Sequence, residues 1–268
     1  MRENWFDAIA NDMANDTDND IARSMRNVIV TGGSRGLGLE IVGRLACQGY
    51  QAIAIARNTN AELAAAIARA EQSRPGSLRF VPFDLGDVEN IPELIRKLHE
   101  EVGPIYGLVN NAALGSDGAL AMMPNSQIEN LIRLNTLSPI VLTKYVVRHM
   151  MADGGGRIVN IASIAAFTGY SGLSVYAATK SSMVGFTRSL AREVGRLGVN
   201  VNAVAPGFMD TAMTKGMEQE RRDQIARRSA LRRLPGVEDV ADAVEFLLGD
   251  KAKSITGTVL TVDAGTTA

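Results

Sequence analysis

The sequence predicts an α/β fold, a doubly wound parallel sheet of seven strands in a single domain. From Asn27 onward, short runs rich in β-branched residues alternate with stretches of helical length. Alternation of this kind builds a parallel sheet with helices on both faces. A glycine-rich turn stands between the first strand and the first helix, at the carboxyl end of a strand, where such sheets bind ligands. No repeat, low-complexity tract or Pro/Gly-rich linker divides the chain, and 268 residues at 46% hydrophobic suffice for one domain with a sizeable core.

Residues 1–20 hold six acids against the single base Arg2, the opposite of the basic start of a signal or transit peptide. Trp5, Ile9 and Met13 recur every fourth residue with Phe6 beside them. Residues 1–25 therefore read as an acidic extension. Two readings stand: a frayed segment with Met25 near the true beginning, or a short helix that docks on a neighbouring subunit. Within 26–268, strands are expected at Val28–Val30, Ala52–Ala56, Leu78–Phe83, Ile105–Asn110, Arg157–Ile161, Val199–Val204 and Thr258–Val262. Helices are expected at Leu37–Gln48, Ala61–Gln72, Ile91–Glu101 and Tyr176–Gly195.

Composition excludes several functions. Lys+Arg (28) nearly balance Asp+Glu (29), so no global basic field draws nucleic acid or an anionic membrane, and no apolar run has the length of a membrane span. Cys47, the single cysteine, cannot form an internal disulfide and fits a reducing cytoplasm; at a helix end it reads as a small packing residue. The only histidines are His99 and His149, and no cluster has metal-ligand spacing.

The turn Thr31-Gly32-Gly33-Ser34-Arg35-Gly36-Leu37-Gly38 has the chemistry of a phosphate site. Its glycines let backbone approach a pyrophosphate, and the helix that follows offers N–H donors and positive potential. The second strand ends Ala54-Ile55-Ala56-Arg57-Asn58, without the acid that bonds ribose hydroxyls in NAD sites. Arg57 and Arg35 can instead clamp a 2′-phosphate, which predicts NADP(H); two solvated arginines are the alternative.

Tyr176-Ala177-Ala178-Thr179-Lys180 sets a phenol and an ammonium one helical turn apart. A neighbouring cation favours the phenolate, and lowering a phenol by about three units takes roughly 4 kcal/mol of differential stabilisation. Ser163 closes the run Arg157–Ser163 at a strand end, where its hydroxyl can hold a substrate carbonyl beside the phenol. A Ser–His nucleophile is disfavoured because neither histidine stands in a partner position. Asn135 interrupts an otherwise helical stretch; a side-chain or water-mediated role and an ordinary surface position both fit.

The Thr-Gly-x-x-x-Gly-x-Gly turn and the Tyr-x-x-x-Lys pair resemble the short-chain dehydrogenase/reductase family, and the likeness runs from about Asn27 to Gly265. It implies a Rossmann-type fold. Asn135, Ser163, Tyr176 and Lys180 match the family's Asn-Ser-Tyr-Lys tetrad, which implies a relay: Tyr176 protonates a carbonyl oxygen, Lys180 passes protons on, and Asn135 holds the connecting water. It further implies cofactor contacts from Gly32, Ser34, Arg35, Gly36, Leu37, Gly38 and Arg57, from Asp84 at the adenine with Leu85 beside it, and from Asn111 and Ala112 at the ribose. Tyr176, Lys180, Pro206, Gly207 and Thr211 complete that set, with Thr211 at the nicotinamide amide. Ala113 stands where the family has Gly.

Substrate choice is expected in a lid over about 208–235. Met209, Met213 and Met217 repeat at helical spacing there, either as packing or as a flexible apolar groove. Arg221, Arg222, Arg227, Arg228, Arg232 and Arg233 follow, either as a solvated face or as a dock for an acidic carrier protein or a coenzyme A phosphate. Val201–Phe208 and Ser189–Val194 resemble the 3-oxoacyl-[acyl-carrier-protein] reductases, whereas Ala152-Asp153-Gly154-Gly155-Gly156 lacks the basic residue frequent in that subfamily. The resemblance thus implies an NADPH-dependent reductase of 3-oxoacyl thioesters in fatty acid biosynthesis, cytoplasmic and homotetrameric. Its tetramer would be built from the helix after Gln127, the Tyr176 helix and the last strand. Reduction of another ketone, sugar or polyketide-type carbonyl is the first alternative, and a non-catalytic NADP(H) sensor or scaffold the second.

Overall fold

The computed structural model describes residues 25–209 and 219–268, with Gln219 and Arg221 described by their backbone alone. The two readings of residues 1–24, and Met213, Met217 and Thr211, lie outside the described residues. Seven parallel strands form one sheet in the order β3-β2-β1-β4-β5-β6-β7. These are β1 (Asn27–Thr31), β2 (Gln51–Ala56), β3 (Leu78–Pro82), β4 (Ile105–Asn110), β5 (Gly156–Ile161), β6 (Val199–Pro206) and β7 (Val259–Val262). Each expected strand is present, displaced by at most two residues at an end.

The helices are α1 (Gly36–Cys47), α2 (Ala61–Ser73), α3 (Ile91–Val102), α4 (Asn125–Ile132), α5 (Ser138–Ala152), α6 (Ser174–Val194), α7 (Gln219–Arg228) and α8 (Val237–Leu248). Alternate side chains along the strands divide the core in two. Val28, Val30, Ala52, Ala54, Val159 and Ile161 face the layer of α1 and α8. Ile29, Ile53, Ile55, Leu108 and Ile158 face α3, α5 and α6. Because both faces are covered, the strands carry continuous apolar runs rather than alternating ones.

Two expectations need correction. Cys47 ends α1 as expected but is exposed. The buried stripe of that helix passes through Ile41, Val42, Leu45 and Ala46, and the next position falls outside it. The stretch around Asn135 is not plain α-helix: Arg133–Leu137 winds as a π segment between α4 and α5, a geometry set by tertiary packing and common at functional sites. His99 and His149 stack with ring centroids 4.0 Å apart, and His99 Nε2 lies 3.0 Å from Asp153 Oδ2. Asp153 thus has a local partner in His99.

Candidate active site

Strand order reverses between β1 and β4, opening a crevice at their carboxyl ends. The Thr31–Gly38 turn enters it. Gly36 adopts φ +53, and a Cβ built there meets nothing within 4 Å, so the backbone faces open space. Gly38 is the opposite case: a Cβ would come against the carbonyl oxygen of Gly32 and the side chain of Asn111, so only glycine lets α1 start this close to the turn. The first turn of α1 holds no acid, and its N-cap Arg35 supplies no side-chain hydrogen bond. The N–H donors of that turn therefore keep their capacity for an anion.

Neighbouring loops fix this cradle. Thr31 Oγ1 accepts hydrogen bonds from the backbone N–H groups of Asn111 (2.9 Å) and Ala112 (3.0 Å). Asn111 Nδ2 donates to the carbonyl of Thr31 at 2.9 Å, which brings Asn111 and Ala112 to the turn. Asn60 caps α2 and donates to the carbonyl of Ser34 at 2.8 Å; the sequence reading missed it, although an Asn before Ala61 is a recognisable cap. Arg35 and Arg57 are both exposed, and among the described residues neither pairs with an acid. Ala113 has no positive φ, so replacing glycine there strains nothing.

Not every implied contact offers its side chain. Leu37 and Leu85 are buried in the two core layers, which leaves their backbone for any cofactor. Asp84 is exposed, and its Oδ1 accepts from the N–H of Gly86 at 2.9 Å. Pro206 ends β6, and Gly207 N–H donates to Val262 at 2.9 Å. Beside it, Phe208 meets Tyr170 edge to face at 5.3 Å, so the start of the expected lid touches the segment between Ser163 and Tyr176. Met209 packs on the core, in favour of the packing reading.

The expected tetrad gathers beyond the end of β5. Ser163 Oγ accepts from Ala165 N–H at 3.2 Å and lies close enough to the Tyr176 phenol to influence its titration. Burial pushes that phenol up, and Ser163 opposes the rise. Lys180 is buried (5% exposed) and donates to the carbonyl of Ile161 at 2.8 Å. Burial brings its ammonium down to about 8. Lys180 Nζ lies 5.8 Å from the Tyr176 ring centroid and donates to the carbonyl of Ile161. Desolvation is the largest cause of both shifts.

Asn135 is buried, not on the surface. Its Oδ1 accepts from Leu114 N–H at 2.8 Å, and its Nδ2 donates to the Leu114 carbonyl (2.9 Å) and Thr179 Oγ1 (3.2 Å). The Asn135 side chain is thus fully engaged by protein partners. Thr179, which sequence reasoning passed over, also donates to the Tyr176 carbonyl at 2.7 Å. No group of His, Cys, Asp or Glu among the described residues could hold a metal ion. None of the helices among them is long and apolar enough to cross a membrane.

The family model described as short chain dehydrogenase matches residues 26–222. The 3-oxoacyl-[acyl-carrier-protein] reductase of Escherichia coli K12 is 38% identical over 238 residues, covering 88% of this chain and 95% of its own. An acetoacetyl-CoA reductase of Allochromatium vinosum is 34% identical over 240 residues, with 90% and 98% covered. Among solved structures, a blue fluorescent protein from a metagenomic library, in complex with NADPH, superposes with TM-score 0.84 at 32% identity, over 91% of this chain and 98% of that one. A Burkholderia cenocepacia short chain dehydrogenase in complex with NADP gives 0.83 at 32%, with the same coverage. Since the matched span takes in both the glycine turn and the helix bearing Tyr176 and Lys180, the chain belongs to the short-chain dehydrogenase family.

Proposed function

We propose that this protein is an NADPH-dependent reductase that converts a 3-oxoacyl thioester to its 3-hydroxyacyl form. One observation carries the chemistry: buried Lys180 donates to the carbonyl of Ile161 at the end of β5, two residues before Ser163, while Asn135 bonds the neighbouring Thr179 on the helix that bears Tyr176. The relatives named as 3-oxoacyl-[acyl-carrier-protein] and acetoacetyl-CoA reductases support the thioester and a place in fatty acid biosynthesis.

The first turn of α1 and the backbone at Gly32, Ser34, Gly36 and Leu37 hold the pyrophosphate. Arg35 and Arg57 hold the 2′-phosphate, Asp84 the adenine, Asn111 and Ala112 the ribose, and Pro206, Gly207 and Thr211 the nicotinamide side. When bound, the reduced nicotinamide supplies the hydride that reaches the carbonyl carbon. Ser163 Oγ donates a hydrogen bond to the carbonyl oxygen and fixes its direction. Tyr176 gives its phenolic proton to the same oxygen as negative charge develops there. Lys180, at about 8, can both hold and release a proton near neutrality and so recharges the tyrosine. Asn135, pinned to Leu114 and Thr179, keeps the π segment against α6.

Exposed Arg227, Arg228 and Arg232 have no acidic partner among the described residues, and this reading makes them the dock for an acidic carrier or a coenzyme A phosphate. It also places the protein in the cytoplasm, as a tetramer joined through the exposed faces of α4 and α6. Steady-state kinetics with acetoacetyl thioesters, sugars, steroids and simple ketones, each with NADPH and NADH, test the proposal. NADPH oxidation with the thioesters is expected. Activity confined to sugars or simple ketones would overturn the substrate assignment.

A further inference from the structure

One layer beneath the site, two asparagines occupy places where a parallel sheet ordinarily buries aliphatic side chains. Asn110 and Asn160 are register partners on β4 and β5. Both follow the two-residue period of Leu108 and Ile158 toward the α5 and α6 layer, and both are buried, at 6% and 0% exposure. Asn110 Nδ2 donates to Asn160 Oδ1 at 2.8 Å and to Thr143 Oγ1 of α5 at 2.9 Å. Asn160 Nδ2 donates to Thr187 Oγ1 of α6 at 2.8 Å, and Thr187 Oγ1 donates to the Met183 carbonyl at 2.7 Å. The Oδ1 of Asn110 has no hydrogen-bond partner. Four polar side chains bond one another across two strands and two helices within an otherwise apolar layer.

The placement gives this network a role. Thr187 lies seven residues after Lys180 on the buried stripe of α6 that includes Met183 and Leu190. Successive residues of β5 therefore hold the same helix at two points: Asn160 grips Thr187 with its side chain, and Ile161 receives the Lys180 ammonium on its carbonyl. The second grip depends on the first, because a flexible lysine stem reaches one carbonyl only while helix and strand keep their register. Through Thr143 the same network reaches α5, which continues from the π segment bearing Asn135.

We infer that Asn160, with Thr187 as its partner, is a positioning residue that sets the register of α6 on β5 and thereby holds Lys180 in its buried place. It touches neither substrate nor cofactor. The inference rests on the reading of Lys180 and Tyr176 as the proton-transfer pair, and it specifies what keeps that pair in place. An apolar pair at 160 and 187 would pack as tightly, but without directional bonds it could slide.

The test uses the full chain with lysines labelled at Cε, the Lys180 resonance being assigned by its loss in Lys180→Arg. Thr187→Val removes the hydroxyl at nearly constant shape, Thr187→Ser retains it, and Asn160→Leu removes the whole clip. In Thr187→Val and Asn160→Leu the titration of Lys180 should move upward from about 8 toward that of an ordinary lysine. NADPH affinity by fluorescence titration should hold. Turnover of acetoacetyl-coenzyme A should fall on the order of tenfold to a hundredfold, the scale set by small misplacements. Thr187→Ser should restore both the titration and turnover. If Thr187→Val melts lower yet leaves the Lys180 titration unchanged, the asparagines only stabilise the fold and the inference fails. Should Asn160→Leu not fold, the two Thr187 variants decide alone. Tyr176→Phe separates the underlying reading: retained turnover there overturns the proton-transfer pair, whatever Thr187 does.

Discussion

Lys180 is under two opposing demands. The proposed relay needs a proton on its amine, while burial at 5% exposure favours the neutral form and lowers its pKa from 10.5 to about 8. Linkage fixes the sign of the consequence. Between about 8 and 10.5 the unfolded chain binds more protons at this site than the folded one, so its contribution to stability rises with pH across that window. Below about 8 the penalty is complete and amounts to about 3 kcal/mol. Lys180→Met should therefore be at least as stable as the parent at pH 7, and its advantage should shrink between those two pH values. Urea titrations of both proteins across the window check this; a constant difference would show that Lys180 is not desolvated. Tyr176→Phe keeps the ring packing and removes the proton. Its turnover should fall about a hundredfold or more, with NADPH affinity retained by fluorescence titration; equal loss of both would assign Tyr176 to binding alone.

At the scale of elements, the glycine turn and α1 carry the sharpest expectations. Gly38→Ala sets a methyl against the Gly32 carbonyl, a contact between backbone atoms that no rotamer change relieves. Helix α1 must back away from the turn, with a stability loss of about 1–3 kcal/mol and weaker NADPH binding. Thermal melting and fluorescence titration measure the two effects, and an unchanged NADPH affinity would remove the turn from the cofactor site. Arg57→Asp supplies the acid that the end of β2 lacks. With about 1.5–3 kcal/mol for a charged hydrogen bond, the ratio of kcat/KM for NADPH over NADH should fall at least tenfold, and an unchanged ratio would leave Arg57 a solvated surface group. These turns could be read in advance because glycine, β-branched and capping residues act over a few neighbouring positions. The Arg133–Leu137 π segment could not, because it is held by Leu114, Thr179 and Ser182, which come from other parts of the chain. Asn160 was hidden for the same reason: it looks like an isolated polar residue in an apolar strand until β5 pairs with β4 and packs on α6. The tetrad was legible as an ordered set of residue types, but the direction of the Lys180 side chain and the burial of Asn135 depend on the assembled layers.

For the molecule as a whole, two of the surfaces that the family resemblance implies for a tetramer, the outer faces of α4 and α6, carry the proposed contact with a second copy. Leu120 and Ile132 are 54% and 47% exposed, and they border a depression of about 440 Å³ that Ile128, Val175 and Ala178 also line. Met122 and Phe167 stand exposed as well, at 83% and 52%. Exposed apolar residues grouped around one depression mark an association surface better than the same residues scattered singly. This face also backs directly on the site, since Thr179 lines the depression and holds Asn135. A two-fold contact there would repeat every residue on both sides, so Ile132→Glu would bury two unpaired carboxylates per interface at a cost of several kcal/mol each. Sedimentation should then show the assembly replaced by a smaller species. Turnover should fall with it as α6 loses its support, and it should recover partly at protein concentrations that restore association. A parent protein that sediments as a monomer, or an Ile132→Glu variant of unchanged mass, would locate the contact elsewhere or nowhere. In either case Thr179 would hold Asn135 without help from a neighbouring subunit.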